Sequence, residues 1–461
     1  MKINNILLIQ PMHEKKEKTV RESINFPFGL AYIARVLTDG GYKVEVLDAQ
    51  ALQWEKHEVI DYLSSGSWDA VGITAFSTQY NAVKVFSDFL KKEKDALVIV
   101  GGPLPTFSWK LVLETTLADF CVIGEGEITI LDLLDNYNRP ENVKGIAFRD
   151  RDGQIQKTRP REYIDTLDDL PRPAYELFDM ERYIKIKMAI GRDKQPQNTR
   201  VMTFITTRGC PYKCGFCSRT FSGFRSFSPE KTIQEISYLH ENYRLEGIAF
   251  NDELFVRNSA HIKKVAPELK KMQLFWSGQA RVNLVDFDLL KFMKENGCIG
   301  IGYGIESGSQ KILDRMKKGI TVNQIEKAMR YAMSLKLDIK VQLIFGYPGE
   351  DENTLRETIK LFNRIDHPGR RFNLIMPLPG SPLWEETLVK GLIKNEAAYL
   401  TELEKGFGKG KVLVNFTPWQ DNEIYPKKYA VEQKIRRNYL KKHPVLAAKS
   451  IIRKIEKGIK N

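Results

Sequence analysis

Val201-Met202-Thr203-Phe204-Ile205-Thr206-Thr207-Arg208-Gly209-Cys210-Pro211-Tyr212-Lys213-Cys214-Gly215-Phe216-Cys217 joins an apolar run to a loop carrying Cys-x3-Cys-x2-Cys. Three thiolates on one short loop suit a cubane 4Fe-4S cluster, and the absence of a fourth cysteine at matching spacing leaves one iron open to another ligand. A structural zinc site is the other metal reading, but it wants a fourth Cys or His at short spacing, and the nearest histidine is His240. Ordinary buried cysteines would not gather three of the chain's 5 in one loop. Cys121, within an apolar run, and Cys298, in Asn296-Gly297-Cys298-Ile299-Gly300, read as core.

Working outward from the loop, six β-like runs can be counted, at 203–207, 247–251, 275–280, 299–305, 339–345 and 372–376, each but the last followed by a helical segment. This order predicts a partial parallel (β/α)6 barrel, whose chemistry belongs at the carboxyl ends of its strands, where the cysteine loop sits. The same end would carry Asp252, Glu253, Gln279, Arg281, Glu306-Ser307-Gly308 and Gly346-Tyr347-Pro348-Gly349. Carboxylates and amides there can bind ribose hydroxyls and an ammonium, and Arg281 can fork onto a carboxylate. Taken singly, each is equally readable as a helix cap or a solvated loop charge.

The first 150 residues alternate in the same βα manner. Strands are expected at 6–10, 44–48, 70–76, 96–101 and 120–124, with helices at 29–38, 57–63, 81–91, 108–117 and 127–136. A five-stranded, doubly wound parallel sheet follows, with its ligand at the strands' carboxyl ends. Those ends hold Gln10-Pro11, Thr74, Ser77, Thr78, Gly101-Gly102-Pro103 and Gly124-Glu125-Gly126. The glycines let backbone approach a large flat ligand and the hydroxyls can bond amides or phosphate, though each is also an ordinary turn residue. A nicotinamide fold lacks its G-x-G-x-x-G after the first strand. A phosphoreceiver lacks its acidic residues, since Gln10 and Pro11 stand there. His13 and His57 read as surface residues. The turn Asp150-Arg151-Asp152-Gly153 closes this domain, and a linker over 151–200, broken by Pro171 and Pro173, precedes a core domain over 201–390 and a helical region over 391–461.

The chain is 461 residues long and 42% hydrophobic, with room for two to four domains. Met1-Lys2-Ile3-Asn4-Asn5 leads into only a short apolar run, no stretch is long enough to span a membrane, and cluster thiolates require a reducing compartment, so the expected location is cytoplasmic. Net charge is +13. Most of the excess lies after residue 422, where helices are expected from Tyr429 onward and Ile451, Ile452, Ile455 and Ile459 recur at helical spacing. The stripe could dock on the barrel or touch a membrane surface; no aromatic-interleaved basic groove supports nucleic acid.

The loop resembles the signature of the radical S-adenosylmethionine (radical SAM) enzymes, Cys-x3-Cys-x-aromatic-Cys, with Phe216 at the aromatic position. Asn25-Phe26-Pro27-Phe28-Gly29-Leu30-Ala31, Val100-Gly101-Gly102-Pro103, Asp119 to Glu127, Leu167 to Tyr175, Asn251-Asp252-Glu253-Leu254-Phe255, Gly304 to Gly308, Met316-Lys317-Lys318-Gly319, Gly346 to Glu350 and Pro377 to Pro382 resemble the subgroup that carries a cobalamin-binding domain, including the class B methylases and the anaerobic porphyrin cyclase. The resemblance covers roughly residues 5 to 385. It implies Cys210, Cys214 and Cys217 as metal ligands, SAM on the open iron, Phe216 near the adenine, and SAM contacts from Glu306, Gln279 and Arg281. Thr74, Ser77, Gly101, Gly102, Pro103, Gly124, Glu125 and Gly126 would bind cobalamin. One departure is that no Asp-x-His-x-x-Gly is present, so that motif offers no imidazole beneath cobalt; the subgroup commonly lacks it too, which would leave cobalt weakly ligated or open below, and His13 and His57 read as surface residues rather than cobalt ligands.

The implied activity is methylation of an unactivated carbon through a 5'-deoxyadenosyl radical and methylcobalamin. Radical cyclisation or rearrangement with the same cofactors is the second possibility, and a non-catalytic corrinoid or cluster carrier the third. A methylthiotransferase would need three more cysteines than Cys121 and Cys298 can supply. The expected partners are a small-molecule or lipid-like substrate, a one-electron reductant such as flavodoxin or ferredoxin, and, through the basic tail, a peripheral membrane contact.

Overall fold

The computed structural model describes residues 3–13, 24–257, 259–369, 371–406 and 411–448. Short apolar runs such as Ile6-Leu7-Leu8-Ile9 are buried on both sides, which places helices on both faces of the first sheet. Its strands are β1 (Asn5–Gln10), β2 (Lys43–Asp48), β3 (Ala70–Thr74), β4 (Leu97–Gly101), β5 (Phe120–Val122), β6 (Ile146–Arg149) and β7 (Ile155–Lys157), in spatial order 2-1-3-4-5-6-7. β1 to β5 are parallel, as expected. The expected five strands are, however, seven. β6 and β7 add an antiparallel hairpin to the edge, and Asp150 to Gly153 form its turn rather than ending the sheet. β7 is short and mostly solvated, so it gives no apolar run to read.

The second sheet begins at the cysteine loop's own strand, β8 (Val201–Phe204). A two-residue ladder follows, between β9 (Thr207–Arg208) and β10 (Arg225–Ser226). Then come β11 (Gly247–Phe250), β12 (Phe275–Ala280), β13 (Cys298–Glu306), β14 (Asp338–Phe345) and β15 (Phe372–Leu374). The six long-sheet strands are all parallel in order 15-14-13-12-11-8, with β15 and β8 left as edges, so the barrel is partial. Helix starts are fixed locally. Ser228 accepts from Lys231 N ahead of Pro229–Tyr243, and Asp351 accepts from Asn353 N and Thr354 N ahead of Glu352–Ile365.

The segment between the sheets is a packed joint. Its three 3-10 turns, Leu167–Asp169, Tyr175–Leu177 and Met180–Arg182, bring Tyr175, Phe178 and Tyr183 around Phe26, with ring centroids 5.0–5.3 Å apart. Phe28 meets Phe204 of β8 at 5.6 Å, and Phe26 N donates to Thr203 Oγ1 at 3.1 Å. Aromatic area of this kind is what keeps two domains from moving independently.

The terminal region divides between the two sheets. The helix Glu396–Gly406 lies on the first, where Glu404 accepts from Asn81 N and pairs with Lys56, both at 2.7 Å. The helix Asp421–Lys442, which starts earlier than expected, packs Ile424, Val431 and Ile435 on the barrel and ties Lys427 to Glu352 at 2.7 Å. Ile451, Ile452, Ile455 and Ile459 lie outside the described residues. Among the described residues no helix is long and apolar enough to cross a membrane. Cys121 and Cys298 are fully buried core thiols.

Candidate functional site

The chain leaves β8 into the cysteine loop through a set of anchors. Asp252, at the carboxyl end of β11, accepts from Thr206 N and Thr207 N at 2.6 Å each, and from Thr207 Oγ1 at 2.7 Å. Burial lifts its carboxyl to about 6, against those hydrogen bonds. Of the two readings left open for Asp252, ligand group or local structural charge, the structure supports the second: its oxygens are spent on holding the loop's stem. Gly209 then takes φ +81°, and a side chain there would meet Gly223 O at 2.7 Å.

Beyond the turn, Gly215 N donates to Met316 O at 2.7 Å and Gly215 O accepts from Leu383 N at 2.8 Å, fixing the loop between Cys214 and Cys217 from both sides. All three thiols are free of disulfides; Cys214 is buried and Cys210 and Cys217 are partly open. Burial pushes the Cys217 thiol up to about 12 and raises Cys210 as well, so these groups hold protons until something cationic takes the thiolates. Among the described residues no three such side chains converge as on a single ion. A cubane does not ask for convergence, because each thiolate binds its own iron. Soft donors, partial exposure and two nearby cations fit it.

Those cations are Arg281 and Lys318. The Arg281 guanidinium lies 3.5 Å from the centre of the Tyr212 ring, approaches Cys214 Sγ at 3.9 Å and donates to Lys318 O. Lys318 Nζ donates to Glu306 at 2.8 Å and sits 5.5 Å from the Phe216 ring centre. Glu306 has φ +58°, at a register shift where β13 meets β14. A non-glycine residue held there marks a position fixed by its surroundings. Phe216 closes the site on an apolar wall of Ile312, Met316, Ile344, Tyr347 and Ile375, with Tyr347 edge-on at 6.5 Å. Gln279, half-buried, flanks Gly302 on the neighbouring strand. Phe216, Arg281 and Glu306 therefore gather at the cysteine loop. Lys318, which the sequence reading passed over, links them; only its place in Met316-Lys317-Lys318-Gly319 hinted at it. Glu350 is a loop anchor too, accepting from Gly346 N at 2.6 Å, and burial raises its carboxyl to about 8.

The first sheet's rim is built differently. Gly102 follows β4 with φ +91°, and a Cβ there would press on Thr74 Oγ1 at 2.9 Å and Ala75 O at 3.0 Å. Pro103 starts the next helix, and Gly124 N donates to Thr106 Oγ1 at 3.1 Å. Thr74, Ser77, Gly101, Gly124 and Gly126 line a partly open edge, on which Phe76 is 51% exposed. Backbone and small side chains at the carboxyl ends of parallel strands suit a broad planar ligand such as a corrin.

Glu125 is the exception among these residues. Its side chain turns away from the rim and accepts from Arg208 at 2.7 Å and from Arg225 at 3.0 Å, while Glu127 accepts from Arg208 at 2.5 Å. Burial opposes ionisation, yet Arg225 and Arg208 hold Glu125 below the usual carboxylate range. Glu125 is therefore a clamp residue rather than a ligand. Because Arg208 lies two residues before Cys210, the clamp sets the cysteine loop directly against the end of β5. Phe107, from the first sheet's domain, packs on Gly380 and adds to the same seam, and within the barrel domain Ser218 Oγ donates to Pro379 O at 2.6 Å. The exits of β5 and β8 are therefore joined.

Two family models match the chain: the B12 binding domain over residues 18–134 and the radical SAM superfamily over residues 204–362. An uncharacterized methyltransferase of Pyrococcus horikoshii is 31% identical over 403 residues, 85% of each chain. Cytidylyl-2-hydroxyethylphosphonate methyltransferase of Streptomyces wedmorensis is 27% identical over 80% of this chain and 79% of its own. Anaerobic magnesium-protoporphyrin IX monomethyl ester cyclase of Rubrivivax gelatinosus is also 27% identical, over 90% of this chain and 77% of its own. Among solved structures, the radical SAM methyltransferase TsrM of Kitasatospora setae, with cobalamin and a 4Fe-4S cluster bound, superposes with a TM-score of 0.67. It covers 85% of this chain and 76% of its own at 18% identity, a likeness of fold.

Proposed function

We propose carbon methylation as the reaction of this chain, which belongs to the cobalamin-dependent radical SAM enzymes. When bound, the cluster and SAM supply a 5'-deoxyadenosyl radical, and the corrinoid supplies a transferable methyl group. The residues of the chain do the rest. Cys210, Cys214 and Cys217 would hold three irons, Lys318 and Arg281 would offset the thiolate charge, and Phe216 with Ile312, Met316 and Ile344 would keep water from the nucleoside. Glycine-lined backbone at Gly101-Gly102 and Gly124 would carry the corrin on the first sheet's rim.

The observation that carries this reading is the Arg208–Glu125 clamp, which brings the two rims together so that one substrate could meet both. Hydrogen abstraction followed by methyl capture at the same carbon needs that juxtaposition. Reduced, reconstituted enzyme supplied with trideuteromethyl SAM and a small-molecule extract of the source cells should yield a product that has gained a trideuteromethyl group on carbon, together with S-adenosylhomocysteine and 5'-deoxyadenosine. The likeness to the cyclase favours cyclisation or rearrangement as the second reading: 5'-deoxyadenosine would then form and the product would carry no label. Absence of 5'-deoxyadenosine, with no labelled product, would favour the carrier.

A further inference from the structure

The inward face of the partial barrel carries four carboxamides on four strands. Side chains alternate along a strand, and the face holding Trp276, Tyr303 and Val341 is buried under the helices, so Gln279 of β12 and Gln342 of β14 point inward. Asn251 continues the inward positions of β11 beside Gln279, because Ala249 pairs with Ser277, and Asn373 of β15 pairs with the inward Ile344. Between them β13 offers glycine. A side chain at Gly302 would meet Ile190 Cδ1 at 2.6 Å and Gln279 Cγ at 3.5 Å, and one at Gly304 would meet Glu306 Oε1 at 2.6 Å and Gln342 Oε1 at 3.4 Å. Ile190, from the segment between the sheets, therefore closes the barrel beside Gln279, and Gln342 adjoins the Glu306–Lys318 pair.

Asn251 and Asn373 are exposed and Gln279 and Gln342 half-buried, so the amides line open space inside the barrel. Among the described residues none of the four side-chain amides makes a hydrogen bond. The charges around them are engaged: Arg281 with Lys318 O, Glu306 with Lys318, Asp252 with the loop stem, and Lys340, one inward position below Gln342, with a partner of its own. Glu253, at the mouth, lies in the field of Arg219. We propose that these carboxamides are the substrate-reading surface of the barrel, and that the substrate is an uncharged polar molecule whose groups both donate and accept hydrogen bonds. The inference rests on the reading above that a substrate radical forms beside the cysteine loop. A carboxamide offers two N–H donors and an acceptor oxygen without charge, so it bonds hydroxyl or amide groups in either direction. An ionic head group would lose water here and find no spare countercharge, and a hydrocarbon would strip the amides of water and replace nothing. Gln279, which the resemblance assigns to SAM, falls in with this set.

The test uses the reconstituted full chain, trideuteromethyl SAM and an aqueous extract of the source cells passed over anion- and cation-exchange resins at neutral pH. The unretained aqueous fraction should support formation of 5'-deoxyadenosine and product. Activity confined to a resin-bound fraction or to an organic extract would overturn the proposal. With the active fraction as titrant, Gln342→Met and Asn373→Leu should each raise the half-saturating amount about tenfold. The reduced cluster of each variant should keep the change that SAM causes in its electron paramagnetic resonance spectrum. Unchanged half-saturation would overturn the proposal, and so would loss of that spectral change, which would give the amides to SAM. The fractionation is read on the parent chain and is independent of how the variants fold. No extract-dependent 5'-deoxyadenosine in any fraction would overturn the functional reading and this inference together, whereas product without the label would overturn methylation alone.

Discussion

The two rims that meet at the Arg208–Glu125 clamp solve opposite recognition problems. At the barrel rim, nearly every charged side chain is committed: Asp252 to the loop stem, Glu350 to Gly346, Glu306 to Lys318 and Arg281 to Lys318 O. At the sheet rim, backbone turns, hydroxyls and one exposed phenylalanine leave an open edge. A small inorganic cluster has few atoms to hold and needs its ligands fixed in advance, while a corrin offers hundreds of square ångströms and can be gripped by shape.

If this contrast is right, side-chain changes at the barrel rim should abolish chemistry, and changes at the sheet rim should act mainly through backbone. The largest effect is expected from Cys214→Ala, which removes a thiolate: iron content should fall and 5'-deoxyadenosine should drop to background, with cobalamin binding retained. Next is the clamp. Arg208→Met leaves Glu125 and Glu127 buried with only Arg225 for compensation, and should cost about 3–5 kcal/mol in denaturant unfolding. Adding Glu125→Gln should recover part of that loss; equal or greater damage in the double variant would mean that the two residues do not act as a pair.

Asp252 gives a pH-dependent comparison. Its folded value of about 6 exceeds the unfolded value of about 4, so the folded chain holds a proton that the unfolded chain has released. Its contribution is full below the unfolded value, shrinks as pH rises, and levels off above about 6. Relative to Asp252→Asn, the parent chain should lose on the order of 3 kcal/mol across that window, read from chemical denaturation at stepped pH. The smallest effect is expected from Gly102→Ala. A side chain at φ +91° should cost about 1–2 kcal/mol and weaken cobalamin binding while leaving the cluster intact.

The same contrast explains what could be read from the sequence. Cys210, Cys214 and Cys217 were legible because ligand chemistry imposes a fixed local spacing. The barrel strands were legible because strands buried on both faces need continuous apolar runs, and the observed 275–280 and 338–345 match the expected ranges almost residue for residue. Long-range pairing leaves no such trace. Glu125 stands between two glycines like a ligand residue, and only the fold shows that Arg208 and Arg225 consume it. Asp252 is hidden in the same way, because its partners are backbone amides of another strand's exit. The β6–β7 hairpin was missed because β7 is short and solvated and the buried run of β6 spans only Ile146-Ala147-Phe148.

The central claim is that the clamp ties the cysteine loop to the first sheet's rim closely enough for a bound cluster and a bound corrinoid to interact, and it is tested most directly by their spins. In the reconstituted chain, Co(II) signals should relax faster and broaden when the cluster is reduced to its paramagnetic state, and the effect should diminish in Arg208→Met. A Co(II) spectrum and relaxation rate identical with the cluster reduced, oxidised or absent would contradict the account.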